Sequence, residues 1–103
     1  LALELARASP PQEAKLRSAV SRAYYAAFLT AQRRLGLILT SAYPHAELVN
    51  AVRKRRHALG DQLDFLRRQR AKADYELEVK NWEHIWPDVE RYTNHILPKL
   101  RLL

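Results

Sequence analysis

Apolar residues recur along the chain at intervals of three and four, the spacing of helices that each bury one face, and nowhere alternate as half-buried strands do. Leu16, Val20, Ala23, Ala27, Ala31 and Leu35, with Tyr24 and Phe28 alongside, predict a long helix from about Pro11 to Leu35. So many alanines on its inward face imply a close helical neighbour. Pro10 and Pro11 start this helix and stop an earlier one, because proline suits a helix start and not its interior. The opening residues, LALELARA, read as the tail of that earlier helix, its beginning lying before residue 1. Gly36 suits a C-cap, and a connection follows to Tyr43. Pro44 opens the next helix, with Leu48, Val49 and Val52 as its apolar side, fading near His57.

Gly60 and Asp61 then mark a turn or helix start. The third helix carries the seam Leu59, Leu63, Leu66, Arg70, Ala73, Leu77 and ends near Val79. In the last segment Trp82, Ile85, Val89, Tyr92, Ile96, Leu100 and Leu103 form one stripe, with Trp86 beside it. Pro87 fits the first turn of a helix, which makes residues 81–86 a short turn of their own and 87 onward the final helix. Pro98 is expected to kink or fray its end. The pattern predicts an all-α, up-and-down helical bundle of four main helices preceded by the tail of another, in a single domain spanning 1–103.

One position breaks this regularity. Arg70 stands in the seam where a leucine is expected. A guanidinium does not lose its proton in a protein, so an inward arginine needs a carboxylate, a carbonyl, a phosphate or a wet cleft. Asp74, one turn later, is the nearest partner on its own helix. Two readings stay open: a pair that fixes helix register, and a polar cleft between helices.

Charge sharpens the second. Of the formal net charge of +7, most lies between Arg53 and Lys72, where Arg53, Lys54, Arg55, Arg56, Arg67, Arg68, Arg70 and Lys72 face only Asp61 and Asp64. Such a field favours a polyanion and predicts salt-sensitive binding, although a basic helix face also serves solubility alone. The run RKRRH at 53–57 resembles a nuclear-localisation signal without other support.

Composition removes several kinds of chemistry. There is no cysteine, so disulfides, thiolate metal sites and cysteine nucleophiles are excluded; two glycines are too few for a glycine-rich phosphate cradle. No apolar run approaches membrane-spanning length and no signal-peptide pattern opens the chain, so a cytoplasmic protein is expected. His45, His57, His84 and His95 stand at no metal-ligand spacing, and no metal or cofactor is expected. Ser21 lies within a helix, not on a nucleophile elbow. His45 reads as a helix-start residue. Trp82 and Trp86 read as closing one end of the bundle. Tyr24 falls in phase with the apolar stripe, a core tyrosine with its hydroxyl on a backbone group or on Asp74. Tyr25, about 100° further round the helix, borders a cleft or partner.

Two motifs together carry a resemblance. The stretch LRSAVSRAYYAAFLTAQRRL from Leu16 to Leu35, then Pro44-His45 with Val49 four residues on, then RAKADY from Arg70 to Tyr75, resembles the HEPN domain family. More narrowly it is similar to small stand-alone members with S-R-A-Y-Y-A-x-F on one helix and R-x-x-A-D-Y on a later one. The resemblance covers about residues 2 to 103. It implies a helical bundle that dimerises around a shared cleft, and an RNA- or nucleotide-binding module, the toxin-like half of a two-protein system whose antitoxin is a minimal nucleotidyltransferase.

In the nuclease branch of that family an arginine is followed, after four to six residues, by a histidine. Here Arg70 is followed by Asp74, Tyr75 and Glu76. Without an imidazole at that spacing the motif supplies no group poised to move a proton near neutral pH, so binding is expected and catalysis is left open. The expected ligand-binding residues are Arg67, Arg70, Asp74, Tyr75 and Tyr25. The alternative is a catalytically silent dimeric scaffold that binds a partner protein.

Overall fold

In a computed structural model, which describes residues 10–76 and 81–103, the chain is a bundle of four helices with no strand among the described residues. They are α1 (Pro10–Leu35), α2 (Pro44–Arg55), α3 (His57–Tyr75) and α4 (Trp82–Leu100). The predicted leading helix tail, and Leu77 and Val79 of the third helix, lie outside the described residues.

The core is the set of stripes read from the sequence. Val20, Tyr24, Ala27, Phe28 and Ala31 of α1 meet Leu48, Val49 and Val52 of α2, Leu59, Leu63, Leu66 and Ala73 of α3, and Trp82, Val89, Ile96 and Leu100 of α4. Leu16, Ala23 and Leu35 pack against its edge. Their removal from water is the principal drive to this arrangement. The small side chains Ala27 and Ala31, fully buried, let α1 lie close to its neighbours.

Side-chain bridges fix the directions of the helices. Arg17, near the start of α1, reaches the last carbonyls of α3 and lies over the ring of Trp82 at the start of α4. Arg34, near the end of α1, donates to the carbonyl of Leu103 just past α4. So α1 runs antiparallel to α3 and parallel to α4, while α2, α3 and α4 alternate in direction. Gly36 ends α1 at φ 64. Its N–H donates to Arg33 and that of Leu37 to Gln32, the paired bonds of a left-handed glycine cap.

Three expected boundaries are corrected. First, Gly60 and Asp61 are no turn: α3 already starts at His57, with the extended Arg56 as the whole joint after α2. Gly60 is buried there because a Cβ would stand 2.8 Å from the backbone nitrogen of Arg53 and 2.9 Å from its Cα. Glycine permits the close crossing of α2 and α3.

Second, residues 81–86 are not a separate turn. A single helix runs through Pro87, because the N–H groups of His84 and Ile85 already bond the carbonyl of Asn81 and the stripe from Trp82 to Val89 is continuous. The proline removes one backbone bond, and the burial of Trp82 and Val89 offsets it. Pro98 is likewise inside α4, which continues to Leu100. Third, α3 stops at Tyr75, a turn before Val79, with Glu76 extended. The Arg17 guanidinium takes over its terminal carbonyls, donating to Lys72, Ala73 and Glu76 at 3.4, 3.0 and 2.7 Å while paired with Glu13.

Candidate functional site

The seam arginine sits where α1 and α3 face each other. Its side chain retains 13% of its exposure, so it is turned inward but reaches a wet edge. Nε lies 2.7 Å from Asp74 Oδ2, yet off the N–H axis, so that contact is ionic and not a hydrogen bond. Nη2 donates to the hydroxyl of Tyr25 at 2.5 Å. The guanidinium carbon is 5.0 Å from the Tyr25 ring and 5.4 Å from that of Tyr75, both in cation–π range. Helical phase explains the grouping: Asp74 is four residues from Arg70, whereas Tyr25 comes from the antiparallel helix opposite. Tyr75 is 72% exposed, leaving most of its ring open to solvent.

Four of the five expected residues, Arg70, Asp74, Tyr75 and Tyr25, are thus brought together. Arg67 is bound to another partner, although its charge still reaches Tyr24 and His45 of the same cluster. Its Nε donates to Asp64 Oδ1 at 2.8 Å, one turn back along α3. Asp64 is buried and also receives Arg68 at 2.8 Å and, more loosely, Arg53 at 3.7 Å. Burial alone raises its pKa; the hydrogen bond and charge of Arg67, with the charges of Arg68 and Arg53, outweigh that and hold the carboxyl below its ordinary value. In sequence Asp64 counts only as one negative charge in a basic run. Its three partners lie at offsets of three, four and eleven, the last across the α2–α3 joint.

Tyr24 is buried, as its phase predicts, but its hydroxyl bonds neither a backbone group nor Asp74. It meets His45 Nδ1 at 2.7 Å. His45 is at the start of α2, as expected, and also does more: its ring packs against Tyr24, Tyr25 and Phe28 with centroids 5.6, 6.3 and 5.1 Å away. Burial, then the charges of Arg70 and Arg67, lower its pKa, so the imidazole is neutral at neutral pH. Burial pushes the Tyr24 phenol up, keeping it protonated. With the phenol donating to Nδ1, the imidazole carries its proton on Nε2. Arg70 therefore shares an aromatic cluster with an imidazole from a different helix. The only sequence signal for this is the pair Pro44-His45; the meeting itself depends on the α1–α2 connection returning alongside Tyr24.

Beyond Asp74, an open groove of ≈ 560 Å³ runs between α1 and the end of α3, lined by Arg17, Ser18, Ser21, Arg22, Ala73 and Asp74. It joins serine hydroxyls and a solvent-exposed arginine to the Arg70 cluster. Trp82 is buried beneath Arg17, and its indole N–H has no partner among the described residues. Trp86 is half-buried. Among the described residues no three His, Asp or Glu side chains are placed to hold a metal ion, and no helix is long and apolar enough to cross a membrane.

Comparison with known proteins adds no relative. The chain matches no family model, no curated protein and no solved structure. The functional reading therefore stands on the geometry and on the two sequence motifs.

Proposed function

We propose that this chain is a HEPN-type module that binds RNA or a nucleotide at the Arg70 cluster. One observation carries the reading: a cation held between two tyrosine rings, one of them mostly exposed, at the edge of a serine- and arginine-lined groove. A base can stack on the open face of Tyr75, and a phosphate can take the guanidinium edge and the hydroxyls of Ser18 and Ser21. Asp74, which itself lines the groove, holds Arg70 in register for this, and the exposed Arg22 adds positive charge there. Within this reading the protein is a cytoplasmic homodimer, the toxin-like component paired with a minimal nucleotidyltransferase.

The test is fluorescence anisotropy of labelled single-stranded RNA with wild type, Arg70→Gln and Tyr75→Ala at two salt concentrations, followed by a gel of the same RNA for cleavage. Loss of a stacked base costs about 1–3 kcal/mol, so Tyr75→Ala is expected to weaken binding between several-fold and a hundredfold. Its exposure makes it a variant that leaves the fold intact. Equal affinities for all three proteins would remove the reading.

The internal contacts of Arg70 with Asp74 and Tyr25 favour a second one, a silent dimeric scaffold for a partner protein. In that case Arg70→Gln lowers Tm and leaves RNA binding to follow total charge.

A further inference from the structure

The basic run from Arg53 to Lys72 holds both kinds of cation: Lys54, Arg55, Arg56 and Lys72 make no ion pair among the described residues, whereas the other four are tied to carboxylates. Arg53, Arg67 and Arg68 converge on Asp64, Arg53 also takes Asp61 at 2.9 Å, and Arg70 takes Asp74. The outer surface of α1 is different. From Ala14 to Leu35 it contains no acidic residue, but it carries Lys15, Arg22, Arg33 and Arg34 beside Arg17, which is paired with Glu13. Arg22 and Arg33 are exposed and make no ion pair among the described residues.

At the far end of α1, Arg33, Arg34 and Arg101 line a second open groove of ≈ 340 Å³ with Thr30. Among the described residues no carboxylate side chain lines it. Arg34 is steadied by donating Nε to the carbonyl of Leu103, and the Thr30 hydroxyl is spent on the carbonyl of Ala26. The groove is therefore a concentration of guanidinium donors from the end of α1 and the C-cap of α4, most of them with no acceptor among the described residues. Such a set fits phosphate.

We infer that Arg33, Arg34 and Arg101 form a second phosphate site, and that α1 carries a single-stranded polynucleotide from the Arg70 cluster to it. The inference rests on the proposed nucleic-acid reading and names its ligand class: a chain of several nucleotides, not a mononucleotide. Tyr25, Leu29 and Arg33 are one i, i+4, i+8 ridge, and Tyr25 and Leu29 are both exposed on it. Eight residues of helix place Arg33 about 12 Å beyond Tyr25. A nucleoside monophosphate with its base at Tyr75 and Tyr25 does not span that distance; a short strand does, its backbone passing from Arg22 to Arg33 and a base lying on the apolar side chain of Leu29 between them. A cationic track with interleaved flat or apolar side chains is the general form of sequence-tolerant single-strand binding.

The experiment titrates labelled oligouridylate of two and eight nucleotides with wild type, with Arg33→Gln/Arg101→Gln, and with Lys54→Gln/Arg55→Gln as a charge-matched control at the α2–α3 corner. Circular dichroism checks that each variant is helical. The expected result is an octamer bound about tenfold more weakly by the α1-end variant, with dimer binding unchanged and the control close to wild type. Two lost phosphate contacts also lower the slope of log affinity against log salt by about 1.4 for a single strand.

An octamer bound equally by wild type and the Arg33/Arg101 variant, or weakened as much by the control, overturns the second site while leaving Tyr75-dependent binding standing. Failure of wild type to bind either oligomer at low salt overturns the nucleic-acid reading and the track together.

Discussion

At the level of single residues, the two most informative groups titrate in the same sense but in different ranges. His45 has its pKa lowered by burial and by Arg70 and Arg67. Above the ordinary imidazole value both folded and unfolded chains hold it neutral. As pH falls below about 6.5 the unfolded chain takes up a proton that the folded one resists, so stability drops. Thermal melts at pH 7.5 and 5.5 are expected to show a lower Tm at the acid end, with a smaller drop in His45→Gln.

Asp64 adds a second window. Its pKa is lowered from 3.8, so its contribution is full above that value and is lost as pH falls through the folded one. Asp64→Asn leaves three guanidiniums without their shared carboxylate. Breaking a buried pair costs about 3–5 kcal/mol, reduced here because Arg68 and Arg67 are partly solvated. A loss of about 2 kcal/mol in urea denaturation is expected at neutral pH, and less at pH 3.

Between elements, the tightest constraint is the α2–α3 crossing. Gly60→Ala gains helix propensity of up to about 1 kcal/mol, but its Cβ meets the Arg53 backbone, which cannot move aside as a flexible side chain can. Overpacking of this kind costs about 1–3 kcal/mol; a net loss of stability by chemical denaturation is expected, with no change if the helices part freely.

The same crossing shows what the sequence could and could not convey. Stripes such as Leu59, Leu63, Leu66 and Ala73 are local properties of one helix, so they and the inward Arg70 were legible from spacing alone. A glycine in a helix and a glycine in a turn read alike until a neighbouring backbone is present, and Gly60 was misread for that reason. Pro87 was misread similarly, since its tolerance depends on the burial of Trp82 and Val89. The candidate site divides the same way. Arg70, Asp74 and Tyr75 share one helix, and the motif gathers them. His45 arrives from another helix, and Arg67 is captured by Asp64, facts that only tertiary contacts decide.

Over the whole molecule, net charge is a poor guide to where a polyanion will bind. The densest basic segment is partly neutralised from within, whereas Arg22, Arg33 and Arg34 of α1 are exposed on a helix with no acidic residue after Glu13. Ionic strength is expected to act on the two sets differently. Raising salt from 50 to 200 mM should weaken RNA binding steeply while changing Tm much less, because Asp64, the carboxylate that Arg67 and Arg68 share, is buried and its short-range pairs are screened less than contacts to an exposed polyanion. Parallel anisotropy and melting series in the same buffers check this; a Tm that falls along with affinity would place the arginines of binding and of stability in one set.

Helix α1 touches partners that come late in the chain: Arg17 closes onto Ala73 and Trp82, and Arg34 onto Leu103. A ribosome therefore delivers first the helix whose partners are made last. While α2 and α3 can pair as a local hairpin soon after synthesis, and Tyr24 and Phe28 meet His45 of α2, the two ends of α1 wait for the last residues of the domain before they are tied down. Contacts so distant in sequence slow folding relative to a bundle of local hairpins and prolong the exposure of the α1 surface that α4 covers. The nascent chain is thus most vulnerable to aggregation through the helix that, once folded, holds all the others together.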